Sequence, residues 1–219
     1  MHIHNHKRAM RVRFFMVFMG AFVFFFGMLN VRFVYANIQY WIAPGTIRTD
    51  DSLGAKAQLL PLAKNLSDRP LPNNAMLVID SIGVNAPIVF DSPSDTKSLY
   101  ANLENGVVHY PPSSKPGQLG PAIILGHSSA YPWYKGKYGS VFALLGKLKP
   151  GDKFYVQYED KRLFVYTVKQ SIVFNPLKGD DEKLAELEQN SKTSLILVSC
   201  WPVGTDYRRI AVEAELVES

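Results

Sequence analysis

Short apolar segments separated by turns constrain the fold of this chain more than any other feature. After Asn74, runs rich in Val, Ile, Leu, Phe and Tyr alternate with turn-forming residues, above all Gly and Pro. Such segments are typical of β-strands. They read, in order, AMLVIDSIGVNAPIVF, GVVHY, PAIILGH, KPGDKFYVQYEDKRLFVYTVKQSIVF, SLILVSC and RRIAVEAELV. We therefore predict an all-β domain, a barrel or a sandwich, over residues 75–219, with one short helix in DDEKLAELEQN.

A longer apolar segment lies near the N-terminus. Residues 14–29 carry no charge, and apolar residues continue to Ala36 after Asn30 and Arg32. A helix that spans a bilayer needs about 20 residues, and Arg32 could extend its charge to the headgroups. The segment predicts a transmembrane helix over residues 14–36. A cleaved signal peptide is the alternative, with a weak small-residue cleavage site in VYANI.

The charges around this segment predict its orientation. Four Lys and Arg residues precede it, which places residues 1–13 in the cytoplasm by the positive-inside rule. The protein is then a single-pass protein of the cell membrane, in contact with the lipid bilayer, and its β-domain is extracellular. Residues 37–74 are predicted to form a linker or an N-terminal appendage, with a possible helix in LGAKAQLLPLAKNL.

The net charge of +5 does not indicate a nucleic-acid partner. Residues 1–37 contain five of the 24 Lys and Arg residues and no Asp or Glu. The rest of the chain holds 19 basic and 19 acidic residues. A nucleic-acid-binding domain would instead carry the basic excess on its folded part.

One cysteine and one histidine are candidates for a reactive site. Cys200 is the only cysteine, so the chain has no internal disulfide. It ends one predicted strand, and His127 ends another, so the two groups could meet at one rim of a barrel. A thiol needs a neighbouring base or cation to act as a nucleophile. The alternative is that Cys200 is a small core residue and His127 is structural.

An arginine pair opens the last predicted strand. Arg208 or Arg209 could hold a substrate carbonyl or a developing oxyanion. Because successive side chains of a strand point to opposite faces, only one of the two is expected to face the site.

Four segments together resemble one protein family. They are LVIDSIGVNAPIV, GVVHYPPSSKPGQLGPAIILGHSS, FALLGKLKPGD and LILVSCWPVGTDYRRIAVEAEL. They resemble the sortases, the membrane-anchored cysteine transpeptidases of bacterial surfaces. The order of His, Cys and Arg and the N-terminal anchor also fit that family. The resemblance implies an eight-stranded closed β-barrel.

The resemblance also assigns roles to residues. Cys200 resembles the nucleophile at the end of the family's TLxTC motif, which ILVSC matches here. His127 resembles the catalytic histidine, and Arg209 the catalytic arginine, with Arg208 as the alternative. Ser199 stands where the family usually has Thr, and we expect it to bind substrate. We expect the same of His109, in GVVHYP, for which a structural role is the alternative.

The activity that the resemblance implies is acyl transfer in two steps. The thiolate would attack an LPxTG-like sorting signal of a secreted protein and form a thioacyl-enzyme. An amine, from a cell-wall precursor or a pilin lysine, would then accept the acyl group. This chemistry needs no metal and no cofactor. The alternatives are a membrane-tethered cysteine hydrolase and a surface domain that binds a partner without catalysis.

Overall fold

A computed structural model of the chain describes residues 2–29, 31–42, 70–130, 134, 136–178, 182–189 and 192–217. The strands in these residues are β1 (Asn74–Ile79), β2 (Val84–Val89), β3 (Val107–His109), β4 (Pro121–Leu125), β5 (Lys153–Tyr158), β6 (Leu163–Phe174), β7 (Ser194–Trp201) and β8 (Arg208–Leu216). The helices are α1 (His2–Leu29), α2 (Val31–Ile42), α3 (Thr96–Asn102) and α4 (Glu182–Glu188).

The strands form a closed barrel in the order β1-β2-β3-β4-β7-β8-β6-β5. Two neighbouring pairs, β2 with β3 and β4 with β7, are parallel, and the other pairs are antiparallel. Every segment that predicted strands contains them. The all-β prediction is therefore confirmed, and a barrel is formed rather than a sandwich.

Two groups of buried apolar side chains hold the barrel together. The inner cluster fills the barrel interior and includes Leu77, Val156, Tyr158, Leu195, Leu197 and Val212. The outer cluster lies on the opposite face of β4, β6, β7 and β8, where α4 covers it. It consists of Ile123, Phe174, Leu187, Ile196, Val198 and Ala211.

Strand β7 contributes to both clusters, which explains its sequence. Leu195 and Leu197 point into the barrel, whereas Ile196 and Val198 pack beneath α4. A strand buried on both faces reads as a continuous apolar run, not as an alternating one. Burying a side chain of this size contributes about 1.5–3 kcal/mol, so both layers stabilise the strand that carries Cys200.

The structure confirms one predicted helix and adds another. DDEKLAELEQN contains α4. Helix α3 was not predicted, because its seven residues are too few to show a helical period. Its sequence does carry a start signal, since the Asp95 side chain accepts a hydrogen bond from the Ser98 N–H at 3.0 Å.

The N-terminal helices differ from the predicted segment. Helix α1 ends at Leu29, and α2 extends to Ile42, so residues 37–42 of the predicted linker are helical. No helix among the described residues combines the length and the apolar character needed to cross a bilayer, and the transmembrane helix predicted over residues 14–36 is not supported. The possible helix in LGAKAQLLPLAKNL lies outside the described residues.

Candidate active site

The pairing of β7 with β8 places an arginine beside the cysteine. Cys200 is directly opposite Arg209 in this antiparallel pair, and Trp201 is opposite Arg208. Residues that are directly opposite have Cβ atoms about 4.5–5.5 Å apart. The register therefore joins two predicted site residues that are nine positions apart in the sequence.

The pairing of β4 with β7 brings the end of β4, which leads to His127, towards the same cysteine. Leu125 is opposite Val198 in this parallel pair, and the Gly126 N–H donates a hydrogen bond to the Val198 carbonyl oxygen at 3.1 Å. Continuing this register by two residues beyond the end of β4 would align His127 with Cys200. Because Leu125 packs against the outer cluster, His127 is on the outer face of the barrel.

Alternation along β7 and β8 decides which arginine shares that face. Val198 belongs to the outer cluster, and Cys200 lies two residues further along β7. On β8, Ala211 belongs to the outer cluster, and Arg209 lies two residues before it. Arg208 is therefore on the opposite face. Register and alternation bring Cys200, His127 and Arg209 to one rim.

The two arginines have different partners. Arg209 is half-buried and donates hydrogen bonds from Nη1 to the carbonyl oxygens of Asp206, at 2.7 Å, and Arg208, at 2.9 Å. These bonds fix the guanidinium against the loop between β7 and β8. Arg208 is exposed and lies 5.4 Å from the ring centre of Tyr207.

The environment of Cys200 favours the neutral thiol. Burial raises the pKa of the half-buried thiol above its ordinary value, and the charge of Arg209 acts in the opposite direction. Asp206 raises this pKa further. Arg209 is therefore the neighbour that favours the thiolate.

The environment of His127 favours the neutral imidazole. Burial lowers the pKa of His127, and the nearby carboxylate of Glu104 raises it in part. The backbone at His127 is held by Phe142, whose N–H donates to the His127 carbonyl oxygen at 2.9 Å. Gly126 permits this close packing, because a Cβ atom there would lie 2.4 Å from the Phe142 ring.

Two tyrosine rings flank the imidazole. The ring centre of Tyr134 lies 5.4 Å from that of His127, edge to face, and that of Tyr100 lies 6.1 Å away. The Tyr134 hydroxyl donates to the Leu103 carbonyl oxygen at 2.9 Å. A Cβ atom on Gly139 would lie only 2.7 Å from the Tyr134 ring, so glycine leaves room for it.

Ser199 lies next to the site but faces away from it. Its side chain is only 3% exposed, and its hydroxyl donates to the Gly126 carbonyl oxygen at 2.7 Å. This bond ties β7 to the end of β4, directly before His127. The structure therefore gives Ser199 a contact that aligns the two strands.

His109 is not brought to this rim. It is the last residue of β3, where it is paired with Ile124 of β4. Because β3 runs antiparallel to β4, β3 ends towards the end of the barrel opposite to the one that β4 leads to. His109 is 5% exposed, and its Nε2 atom is 2.9 Å from the Ser114 carbonyl oxygen and 3.3 Å from the Ser113 hydroxyl. This geometry favours the structural alternative for His109 over a contact with substrate.

No three His, Cys, Asp or Glu side chains of the described residues are grouped so that they could hold a metal ion. The donors at the rim are instead a thiol, an imidazole and a guanidinium. A nucleophile, a proton carrier and a fixed cation are the groups that acyl transfer through a thioester requires.

Fold and site define a class: closed β-barrels that carry a cysteine, a histidine and an arginine at one rim. The sortase domain family matches residues 77–217. The chain belongs to the sortase family.

Solved structures agree with this assignment. Sortase C-1 from Actinomyces oris is 26% identical, with a TM-score of 0.53 over 74% of this chain and 82% of that one. Sortase A from Corynebacterium diphtheriae is 26% identical, with a TM-score of 0.54 over 82% and 74%. A sortase D5 transpeptidase from Clostridium perfringens is 25% identical, with a TM-score of 0.51 over 71% and 86%. These neighbours carry different class letters, so the subclass is not assigned. A comparison with curated proteins gives no significant match.

Sequence reasoning missed the surroundings of His127. Tyr100 lies on the unpredicted helix α3, Glu104 follows that helix, and Tyr134 lies in the connection between β4 and β5. The Asp95 start signal could have revealed α3. No sequence pattern indicates that its side chains lie against a histidine on another segment.

Proposed function

We propose that this chain is a cysteine transpeptidase that cleaves an LPxTG-like sorting signal and transfers the acyl group to an amine. The observation that carries the proposal is the strand register that aligns Cys200 with Arg209 and, by continuation, with His127. Family membership supports the same activity, and one of the similar structures is described as a transpeptidase. The location outside the cell membrane stays a prediction from the sequence.

In the first step, Cys200 attacks the carbonyl carbon of the scissile peptide bond. The thiol proton passes to His127, and the resulting imidazolium protonates the departing amine. Arg209 stabilises the negative charge that develops on the carbonyl oxygen, exchanging one of its loop contacts for the substrate. The product is a thioacyl-enzyme.

In the second step, an amine attacks the thioester, and His127 accepts a proton from it. The directions of the two pKa shifts suit this cycle, since the free site is neutral at both groups. His127 is then able to take a proton at the start of each step. Only a small fraction of the free protein carries the thiolate at neutral pH.

The proposal is tested with the purified full-length protein, a set of LPxTG-type peptides and a primary amine. Mass spectrometry should detect a thioester on Cys200 and a peptide–amine adduct in which the new bond replaces the scissile one. Cleavage without any adduct would instead identify a hydrolase. Failure to cleave and an unreactive Cys200 thiol would support a binding domain.

A further inference from the structure

The exposed side of His127 is bordered by side chains that the two reaction steps above do not use. Tyr100 lies on α3, and Glu104 lies in the turn that ends this helix, four residues later. Tyr100 is 52% exposed although its ring centre is 6.1 Å from that of His127, and Glu104 is also exposed.

Tyr134 forms the third side of this arrangement. Its ring contacts His127 edge to face, and its hydroxyl is anchored on the Leu103 carbonyl oxygen, next to Glu104. The charge of Glu104 raises the pKa of His127, which is the direction expected for a carboxylate near an imidazole. Two aromatic rings and one carboxylate therefore surround the approach to a base.

This combination of groups has a specific chemical preference. Aromatic faces attract alkylammonium groups by about 0.5–1 kcal/mol at exposed sites, and a carboxylate adds charge attraction. A neutral or anionic ligand would not gain comparable binding energy from these groups. The position beside a neutral imidazole matters as well, because the attacking amine must pass a proton to a base as the amide forms.

We propose that Tyr100, Tyr134 and Glu104 form the binding site for the alkylammonium group of the acceptor. The inference rests on the proposed function and extends it by naming the site of the second substrate. The ligand class is a primary alkylamine, supplied by a lysine side chain or by a peptide amino terminus.

The chemistry at this site balances without any further reactant. The bound ammonium first releases one proton to solvent. The amine nitrogen then attacks the thioester carbonyl carbon, a C–N bond forms and the C–S bond to Cys200 breaks. His127 takes the second proton from nitrogen and returns it to the Cys200 sulfur. An amide and a free thiol result, with no change of oxidation state.

The test measures how the thioacyl-enzyme partitions between acceptors. Full-length protein is acylated with an LPxTG-type peptide and offered an acetylated lysine peptide, triglycine or hydroxylamine. Hydroxylamine is uncharged at neutral pH and gains nothing from a cation site. The variants are Glu104→Gln, Tyr100→Ala and Tyr100→Phe. Glu159→Gln is the matched control, since Glu159 is exposed at the other end of the barrel, where it accepts a bond from Asn74.

We expect KM for the cationic acceptor to rise about three- to five-fold in Glu104→Gln and Tyr100→Ala, from the loss of one exposed contact in each. Tyr100→Phe keeps the aromatic face and should retain the wild-type KM, as should Glu159→Gln. KM for hydroxylamine should not follow this pattern. Whether lysine or triglycine responds more strongly identifies the source of the amine.

Three results would overturn the inference, and they differ in whether the proposed transpeptidase activity also fails. Glu104→Gln and Tyr100→Ala could form adducts with an unaltered KM for both amines. That result would refute the acceptor site but leave the proposed transpeptidase activity intact. An equal rise in KM for hydroxylamine would also refute the acceptor site, because the residues would then affect the reaction of the thioester with any nucleophile. Cleavage with no adduct in the wild-type protein would remove the acceptor site and the proposed transfer together.

Discussion

The two ends of the barrel each hold a half-buried or buried histidine, and their surroundings differ. Burial lowers the pKa of both His109 and His127. His109 is 5% exposed and bonded through Nε2 to the loop at Ser113 and Ser114. His127 has aromatic neighbours and, among the described residues, no hydrogen-bond partner for its ring.

The comparison teaches that a shifted pKa does not by itself identify a reactive group. His109 fixes a loop, since its Nε2 atom lies within hydrogen-bond distance of the Ser114 carbonyl oxygen. His127 keeps its nitrogens available beside a thiol. Hydrogen-bond partners and strand register distinguish the roles of the two histidines, whereas the lowered pKa is common to both.

The largest expected effect is the loss of activity in His127→Ala. Removing a group that carries protons in both steps should lower kcat/KM about 10²–10⁴-fold. Thermal unfolding should change little, because the His127 ring is half-buried and is not hydrogen-bonded within the described residues. Peptide cleavage and a melting curve on the same sample check both parts. A stable variant with full activity would show that the two histidines do not differ as described.

The next effect separates the two faces of β8. Arg209→Ala should lower kcat about 10²–10³-fold, because a positioned donor to the oxyanion is lost. Arg208→Ala is the matched control, since its side chain lies on the opposite face and is exposed. Steady-state cleavage of one peptide by both variants is the measurement. A larger loss in Arg208→Ala would contradict the assignment by alternation.

A smaller effect is expected at the other end of the barrel. His109→Ala should reduce the free energy of unfolding by about 1–3 kcal/mol, because the part-buried Ser114 carbonyl oxygen loses its donor. The folded fraction should keep its cleavage rate. Denaturant unfolding, followed by activity measured well below the transition, checks this. A fall in kcat without a change in stability would indicate that His109 contacts the substrate after all.

The smallest effect concerns the ionisation of Cys200. Thiolate forms as pH rises, and burial raises the pKa of this thiol, so alkylation should accelerate with a midpoint above the ordinary value of about 8.5. Arg209→Ala should move the midpoint higher still, because the neighbour that favours the thiolate is gone. Iodoacetamide rates against pH give both values. A midpoint below the ordinary value would mean that Arg209 outweighs burial.

Much of the fold could be predicted because its signals are local. Strand segments show in composition and length, and Gly and Pro mark the turns between them. Cys200, His127 and the arginine pair also stood out locally, each at the boundary of an apolar run. Helix α3 did not, since about two helical turns are too short to show a period.

The sequence by itself determined which segments become strands, that β7 can be buried on both faces, and where a thiol and an imidazole interrupt apolar runs. Only the tertiary structure decided that Arg209 rather than Arg208 shares the face of Cys200, that His109 belongs to the opposite end, and that Tyr100, Tyr134 and Glu104 border His127. The physical reason is that strand propensity acts between neighbours in the chain. Register and barrel closure instead depend on contacts between segments far apart in sequence, whose energies are summed over the whole core.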